Sequence, residues 1–206
     1  MRRMSAPRPF DEAYYTKHYG GRARVHSAVE IARLASGVCG LAGWLGVELE
    51  SALDVGAGPG LWRDWFRRHR PEVRYRSTDL SAYACERYGH ERRDISRWRA
   101  RGRFDLVVCQ GVLQYLEAAD AERAIENLGA MARGLVYLEI VTRHDLAEVV
   151  DLETTDTAIH ARTGAWYRKR LRPHFVQVGA GLWAARRAGL PFYELEAAGR
   201  SGGRGP

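Results

Sequence analysis

Residues 52–60 read ALDVGAGPG, in which Gly56, Gly58 and Gly60 stand at every second position behind Asp54. Glycine adopts backbone conformations that other residues avoid, and it lets a ligand approach the main chain closely. A loop of this kind after an apolar strand is typical of a nucleotide-binding site at the edge of a parallel sheet. The stretch therefore predicts an α/β fold with a nucleotide-like ligand beside the loop.

Strand-like and helix-like stretches alternate along the chain. Strand candidates lie at 51–56, 73–79, 104–110 and 135–141, and helix candidates at 28–46, 60–69, 81–87, 119–133 and 163–172. Such alternation implies right-handed βαβ units and a parallel sheet. Residues 175–187 interrupt it, because two short strands joined through Gly179 and Gly181 predict a closing antiparallel hairpin.

The chain of 206 residues is long enough for one domain with a full core, which we assign to residues 1–196. The glycine-rich end, residues 197–206, predicts a disordered tail. The aromatic-rich residues 10–27 are interpreted as an N-terminal cover arm, and residues 142–162 as an insertion or lid. Ligands of open α/β sheets bind beyond the carboxyl ends of the strands, so both segments are expected to cover that edge.

The composition argues against several other classes of protein. The net charge of +7 is carried almost entirely by arginine, with lysine only at 17 and 169. Such a bias more often reflects the coding composition than a nucleic-acid surface, so a nucleic-acid partner is not favoured. The longest apolar region, VCGLAGWLGVEL, is too short and too rich in glycine for a membrane span. The three cysteines are scattered, without a metal-ligand pattern. We expect a soluble cytoplasmic protein without a metal ion, and its oligomeric state stays open.

The glycine spacing distinguishes between two kinds of cofactor. A dinucleotide fingerprint reads G-x-G-x-x-G, but Leu61 occupies the place of its third glycine. Asp54 would repel a pyrophosphate and attract an ammonium group, through charge-assisted hydrogen bonds of roughly 1.5–3 kcal/mol. S-adenosylmethionine carries an ammonium and a sulfonium but no phosphate, and we favour it. A nicotinamide-dependent oxidoreductase remains an alternative.

Four motifs in order resemble those of the class I S-adenosylmethionine-dependent methyltransferases. LDVGAGPG resembles the first motif, Asp79 ends the second strand, RRDIS resembles the third motif, and FDLVVCQGVLQYL resembles the fourth-motif strand and turn. The resemblance covers residues 51–141. It implies a Rossmann-like, doubly wound, mostly parallel seven-stranded sheet with a C-terminal antiparallel hairpin, and S-adenosylmethionine as cofactor.

The resemblance also assigns cofactor contacts. Asp79 is expected to hydrogen-bond the ribose, Asp94 to reach the adenine amino group and Ile95 to pack on the ring, although either aspartate is alternatively a helix cap. Tyr14 and Tyr19 are candidates for cation–π contact with the sulfonium, unless they belong to an amphipathic cover helix. The complete set is Tyr14, Tyr19, Asp54, Gly56, Gly58, Gly60, Asp79, Leu80, Asp94, Ile95 and Gln110.

The turn after the fourth strand favours a small-molecule acceptor that is methylated on oxygen or nitrogen. It lacks the Asn/Asp-Pro-Pro-Tyr pattern of nucleobase methylation, and Gln114 and Tyr115 stand where a histidine or aromatic pair is often found. Trp166 and Tyr167 either line the same pocket or pack against the sheet. The candidate bases are His144, His160 and Glu139. An RNA or protein methyltransferase and a non-catalytic binding protein remain as alternatives.

Overall fold

The computed structural model describes residues 10–21 and 24–198. Its helices are α1 Glu12–Tyr19, α2 Ala28–Trp44, α3 Leu61–His69, α4 Ala82–Tyr88, α5 Ala118–Met131, α6 Arg143–Glu148 and α7 Gly164–Leu171. Its strands are β1 Ser51–Val55, β2 Arg74–Asp79, β3 Glu91–Arg92, β4 Phe104–Gln110, β5 Ala132–Glu139, β6 Phe175–Gly179 and β7 Leu182–Ala185.

The seven strands form one sheet in the order β3-β2-β1-β4-β5-β7-β6. Strands β1 to β5 run parallel, whereas β7 is antiparallel to both of its neighbours. The predicted doubly wound sheet and its C-terminal hairpin are confirmed. The strand order reverses between β1 and β4, and a crevice at such a reversal is where ligands of this fold bind.

Two apolar cores cover the two faces of the sheet. Residues of α2 and α3 pack on one face, while α5 and α7 pack on the other. All five residues of β1 are buried, because this strand is central and has helices on both sides. The sheet therefore holds the end of β1 rigidly, directly before the glycine loop.

Several boundaries differ from the sequence prediction. Strand β5 begins at Ala132 rather than 135, because Ala132 pairs with Phe104 and so ends α5 at Met131. The arm contains a helix, α1, which Asp11 caps by accepting a hydrogen bond from the amide of Tyr14. The insertion likewise contains α6, capped by Thr142.

The first two residues of the predicted tail are packed. Ala197 is buried, and the Ala198 N–H donates to the carbonyl oxygen of Gln177 at 2.9 Å. Residues 199–206 lie outside the described residues. Within the described ranges, no helix combines the length and the apolar character that crossing a membrane requires. Cys39, Cys85 and Cys109 are all free thiols.

Candidate functional site

The glycine loop follows β1 at the point where the strand order reverses. Gly56, Gly58 and Gly60 have φ angles of +71°, +54° and +77°, values that other residues rarely adopt. A Cβ atom on Gly56 would lie 2.3 Å from Cγ2 of Val112. The loop therefore requires glycine both for its backbone conformation and for its close contact with the turn after β4.

The N–H groups of this loop already have partners within the protein. Two successive N–H groups, beginning with that of Gly56, donate to the carbonyl oxygen of Thr78 at 2.8 and 3.0 Å. The Gly58 N–H donates to Asp79 at 2.9 Å, and the Gly60 N–H donates to the carbonyl oxygen of Ala57 at 2.9 Å. These N–H groups are therefore not available to a pyrophosphate, and the Asp79 carboxylate beside them would repel one. The loop therefore fits a cofactor without phosphate.

Asp54 is buried at the end of β1 with little compensation for its charge. Its Oδ2 accepts a hydrogen bond from the Tyr75 hydroxyl at 2.5 Å, the only hydrogen bond of its carboxyl to the described residues. Burial raises the pKa of Asp54 to about 7, and the nearby charge of Asp79 adds to this while the Tyr75 hydroxyl opposes it. A ligand ammonium beside this carboxyl would stabilise its ionised form.

Asp79 ends β2 and braces the glycine loop. Its two carboxylate oxygens accept hydrogen bonds from the N–H groups of Gly58 at 2.9 Å and Ser81 at 2.8 Å. The N-cap of α4 is Ser81, whose hydroxyl accepts from the Ala84 N–H. Asp79 is therefore not the helix cap. Burial raises its pKa above the usual value, although its hydrogen bonds act in the opposite direction.

His90 supports the same glycine from the other side. Its Nε2 lies 3.0 Å from the carbonyl oxygen of Gly58, and its Nδ1 lies 2.8 Å from the Ser77 hydroxyl. Burial lowers the pKa of His90, which favours the neutral ring. This role of His90 could not be predicted from the sequence, because an isolated histidine after a helix matches many environments.

Two adjoining cavities open beside the loop. The first, here called the Asp79 cavity, is lined by Asp79, Leu80, Asp94 and Ile95 together with aromatic residues of the arm. Asp94 also stabilises its own turn, because its Oδ1 accepts hydrogen bonds from the amide and hydroxyl of Ser96. Both expected functions of Asp94, capping a turn and facing a ligand, are thus compatible with its position.

The second cavity, here called the Glu139 cavity, lies over the carboxyl ends of β1, β4 and β5. It is lined by Asp54, Gln114, Glu139 and Asp156, with His26 of the arm. Seven residues line both cavities: Tyr14, Tyr19, Gly56, Gly58, Gln110, Gly111 and Tyr115. The two cavities therefore meet at the glycine loop, beneath the tyrosines of the arm.

A chain of hydrogen bonds crosses the floor of the Glu139 cavity. The Trp62 indole donates to Oε1 of Gln110 at 2.8 Å, and Nε2 of Gln110 donates to Oε2 of Glu139 at 3.0 Å. Oε1 of Glu139 lies 2.8 Å from Nε2 of His26, and the Tyr137 hydroxyl donates to Oε2 at 3.3 Å. Burial acts to raise the pKa of Glu139, but these partners lower it below its usual value.

The arm lies against both cavities through its aromatic side chains. The hydroxyls of Tyr14 and Tyr115 are 3.1 Å apart, and the Phe10 ring packs edge-on against Tyr115 with centroids 5.2 Å apart. The Ser81 hydroxyl donates to the carbonyl oxygen of Phe10. These contacts join the arm to the turn after β4 and to the start of α4.

Most of the predicted site residues come together at these cavities. Those that line one or both are Tyr14, Tyr19, Asp54, Gly56, Gly58, Asp79, Leu80, Asp94, Ile95, Gln110, Gln114, Tyr115 and Glu139. Gly60, His144, His160, Trp166 and Tyr167 line neither cavity. His144 is exposed on α6, and His160 is exposed with its backbone N–H donating to the carbonyl oxygen of Gln114 at 2.8 Å. Neither imidazole lies where a base could act in these cavities.

Trp166 and Tyr167 pack against the sheet instead. Tyr167 is buried in the core, and its hydroxyl accepts a hydrogen bond from Arg162 at 3.2 Å. The Arg170 guanidinium lies 3.7 Å from the centre of a Trp166 ring. These contacts correspond to the packing alternative for both residues.

The insertion reaches the Glu139 cavity through residues that the sequence did not single out. Thr155 and Asp156 line it, and the insertion is fixed to the sheet edge by the bond between His160 and Gln114. His26, Trp62 and Tyr75 were also missed. The only available signal was polarity or aromaticity close to a strand end or a predicted arm, which does not separate these residues from others of their type.

The comparisons with known proteins agree with this geometry. Residues 53–134 match the family model described as a methyltransferase domain. The match includes the glycine loop, Asp79, Asp94 and the turn after β4. This match agrees with the class I methyltransferase and the S-adenosylmethionine cofactor that the four motifs predicted. A comparison with curated proteins finds no match.

Solved structures share the fold at low sequence identity. CalS10 of Micromonospora echinaspora, an amino pentose methyltransferase solved with S-adenosylmethionine, is 16% identical with a TM-score of 0.60, over 88% of this chain and 99% of that one. The N-methyltransferase NodS of Bradyrhizobium japonicum WM9, solved with S-adenosylhomocysteine, is 15% identical with a TM-score of 0.53, over 74% and 86%. A methyltransferase of Clostridium acetobutylicum ATCC 824 is 15% identical with a TM-score of 0.56, over 78% and 84%.

Proposed function

We propose that the protein transfers a methyl group to an oxygen or nitrogen atom of a small-molecule acceptor bound in the Glu139 cavity. The cofactor supplies a methyl carbon activated by the positive sulfonium. In this arrangement the Asp79 cavity holds the adenosine part, with Asp79 at the ribose and Asp94 and Ile95 at the adenine. Asp54 holds the ammonium, and Tyr14 and Tyr19 lie over the junction of the two cavities.

The observation that carries this proposal is an unpaired hydrogen-bond acceptor in the Glu139 cavity, the side-chain oxygen of Gln114. Gln114 is 4% exposed, and its side-chain oxygen has no hydrogen-bond partner within the described part of the chain. Leaving a buried hydrogen-bond acceptor without a partner is unfavourable by about 1–3 kcal/mol. A rotation of the Gln114 side chain that brings this oxygen to the cavity surface would let an O–H or N–H group on a ligand remove that penalty. The side chain therefore favours an acceptor that carries such a group.

The covering segments favour an acceptor of limited size. The arm, residues 10–27, contributes aromatic side chains to both cavities, and the insertion, residues 142–162, contributes Thr155 and Asp156. We treat both as parts of one domain that encloses the acceptor and excludes water during transfer. The likeness to CalS10, an amino pentose methyltransferase, supports a small acceptor, and the likeness to NodS, an N-methyltransferase, supports nitrogen among the target atoms. The three free thiols support a reducing, cytoplasmic location.

The first experiment identifies the acceptor. A panel of hydroxylated and amine-bearing metabolites is incubated with the protein and S-adenosylmethionine, and production of S-adenosylhomocysteine is measured. We expect turnover with a small molecule and none with bulk RNA or protein. Turnover restricted to RNA or protein would contradict the small-molecule assignment, and tighter binding of NAD than of S-adenosylmethionine would contradict the cofactor assignment.

The second experiment uses Gln114→Leu, which removes the unpaired oxygen at similar volume. We expect kcat/KM for the acceptor to fall at least about tenfold, while affinity for S-adenosylmethionine stays within about threefold. The apo variant should be as stable as the wild type or more so, because a buried unpaired acceptor is lost. Gln177→Leu, on the edge strand β6, is the matched control and should leave turnover unchanged. Normal turnover by Gln114→Leu would place the acceptor elsewhere.

A further inference from the structure

A histidine of the arm and a glutamate at the end of β5 form a partly buried pair in the Glu139 cavity. Resting on the proposed function, we propose that His26 takes the proton that the acceptor atom releases, and that Glu139 positions it for this task. His26 lies 113 residues from Glu139 in the chain, and its Nε2 is 2.8 Å from Oε1 of that carboxylate. Both residues line the cavity in which the acceptor is placed.

The neighbours of Glu139 determine which nitrogen of His26 carries the proton. The Trp62 indole nitrogen is only a donor, so the oxygen of the Gln110 amide must face it, at 2.8 Å. The amide nitrogen of Gln110 therefore donates to Oε2 of Glu139 at 3.0 Å. It also lies 3.0 Å from Nε2 of His26, a contact that is not a hydrogen bond when that nitrogen is protonated, because both groups are then donors. An ionised Glu139 accepts hydrogen bonds only, so Nε2 of His26 is the protonated nitrogen that donates to it.

This arrangement leaves Nδ1 of the neutral ring as the basic nitrogen. No described residue forms a hydrogen bond with Nδ1. In the proposed step the lone pair of the acceptor atom forms the bond to the methyl carbon, and the pair of the broken carbon–sulfur bond stays on sulfur. The acceptor's O–H or N–H bond breaks, its electrons remain on the acceptor atom, and the proton is held at Nδ1. Glu139 then stabilises the imidazolium that forms.

The charges around His26 favour this role. Glu139 of β5 and Glu30 of α2 face it, and Asp54 and Asp156 line the same cavity. Burial acts to lower the pKa of His26, but the hydrogen bond and charge of Glu139, with a smaller contribution from Glu30, raise it above its usual value. The proton-accepting form is therefore populated above that raised pKa, and turnover should increase with pH through it.

The test compares pH profiles of kcat/KM once an acceptor is known. His26→Gln should lower kcat at least about hundredfold, the range of general base catalysis. It should also abolish the acid limb of the profile, which is the fall of kcat/KM at acidic pH. Affinity for S-adenosylmethionine should stay within about threefold, and added imidazole should partly restore turnover by His26→Ala. His69→Gln, an exposed histidine on α3, is the matched control and should behave as the wild type.

Glu139→Gln tests the positioning role and remains informative if the His26 variants fold poorly. Removing the carboxylate charge should lower the pKa of His26, so the acid limb moves to lower pH while the plateau rate falls. An unchanged acid limb in Glu139→Gln, or turnover within threefold of wild type in His26→Gln, would overturn this inference. Weakened cofactor affinity with an unchanged limb would instead assign the pair to cofactor binding and also overturn it. If the wild type methylates no small molecule, the proposed function itself fails.

Discussion

Two buried aspartates on neighbouring strands have opposite environments. Asp105 lies at the start of β4, where the Arg133 guanidinium donates to it at 2.5 and 3.0 Å and Ser51 donates through its N–H and hydroxyl. Asp54 lies at the end of β1 and receives one hydrogen bond from the described residues, that of Tyr75. Burial acts to raise both pKa values, but Arg133 and Ser51 bring that of Asp105 below its usual value.

The difference separates a carboxylate that stabilises the fold from one whose charge the described residues leave largely uncompensated. Asp105 is compensated within the protein, so it stabilises the amino edge of the sheet. Asp54 is buried and forms no ion pair with a described residue, so its ionised form is unfavourable at the carboxyl edge. Perturbed carboxylates of this kind are concentrated at functional sites.

The largest expected effect is the pH dependence of Asp54. The folded protein binds the Asp54 proton more tightly than the unfolded chain, whose aspartate pKa is about 3.9. The free energy of unfolding of the apo protein should therefore fall as pH rises from about 4 to about 7, and then level off. The contribution of Asp54 is about 4 kcal/mol for a folded pKa of about 7. Chemical denaturation from pH 4 to 8 measures it.

The matched pair of variants isolates this contribution. Asp54→Asn should remove the Asp54 contribution to the decrease between pH 4 and 7 and leave that of Asp79, whereas Asp105→Asn should keep both and be less stable throughout that range. The pKa of Asp105 is lowered, so its stabilisation is present above about pH 4 and is lost only at more acidic pH. Parallel curves for the wild type and Asp54→Asn would refute the contrast between the two edges.

The next effect concerns one crowded glycine at each edge. Gly56→Ala introduces a left-handed alanine, unfavourable by about 1–2 kcal/mol, and a Cβ atom 2.3 Å from Val112, for which overpacking adds about 1–3 kcal/mol. Gly134→Ala places its Cβ atom 2.4 Å from the carbonyl oxygen of Asp105. Both should lower the melting temperature. Calorimetry should show at least about tenfold weaker cofactor binding for Gly56→Ala only, and equal weakening in both would erase the distinction.

The smallest effect is the loss of one hydroxyl at each edge. Tyr75→Phe removes the hydrogen bond to Asp54 and should raise the pKa of that carboxyl further, because the bond acts to lower it. Ser51→Ala removes a hydroxyl that donates to Asp105 at 2.8 Å. Each change should alter stability by about 1 kcal/mol. Only Tyr75→Phe should weaken cofactor affinity at pH 7, and a similar loss in Ser51→Ala would show that the two edges are coupled.

The sheet was predictable because its signals are local. The alternation of apolar strands with helices, and the break at Gly179 and Gly181, predicted six of the seven strands and the hairpin, and the family resemblance implied the seventh strand. The boundary between α5 and β5 could not be predicted, because the pairing of Ala132 with Phe104 determines it rather than a residue nearby in the sequence. The two-residue strand β3 has too few residues for a periodic pattern to show.

The residues of the two cavities also differ in how far local sequence signals predict them. Residues of the Asp79 cavity follow strand ends within short motifs, and Asp79, Asp94 and Ile95, which the motifs grouped together, line one cavity. The polar residues of the Glu139 cavity come from the arm, two strand ends and the insertion, so their proximity depends on tertiary packing. Glu139 was anticipated because it ends a strand. His26 and Asp156 were not, and His144 and His160 were predicted in their place.

The contacts that hold the described aromatic residues of the arm against the sheet join residues far apart in the chain. Tyr14 meets Tyr115 across 101 residues, and Phe10 meets Ser81 across 71. Closing such long loops has an entropic cost that must be met before the contacts form. We therefore expect α1 to dock last when the chain folds, onto a sheet that is already assembled, and to be the first element to exchange its amide hydrogens. A ligand that bridges the sheet and the arm would then slow this local unfolding, and the amides of α1 would report its binding.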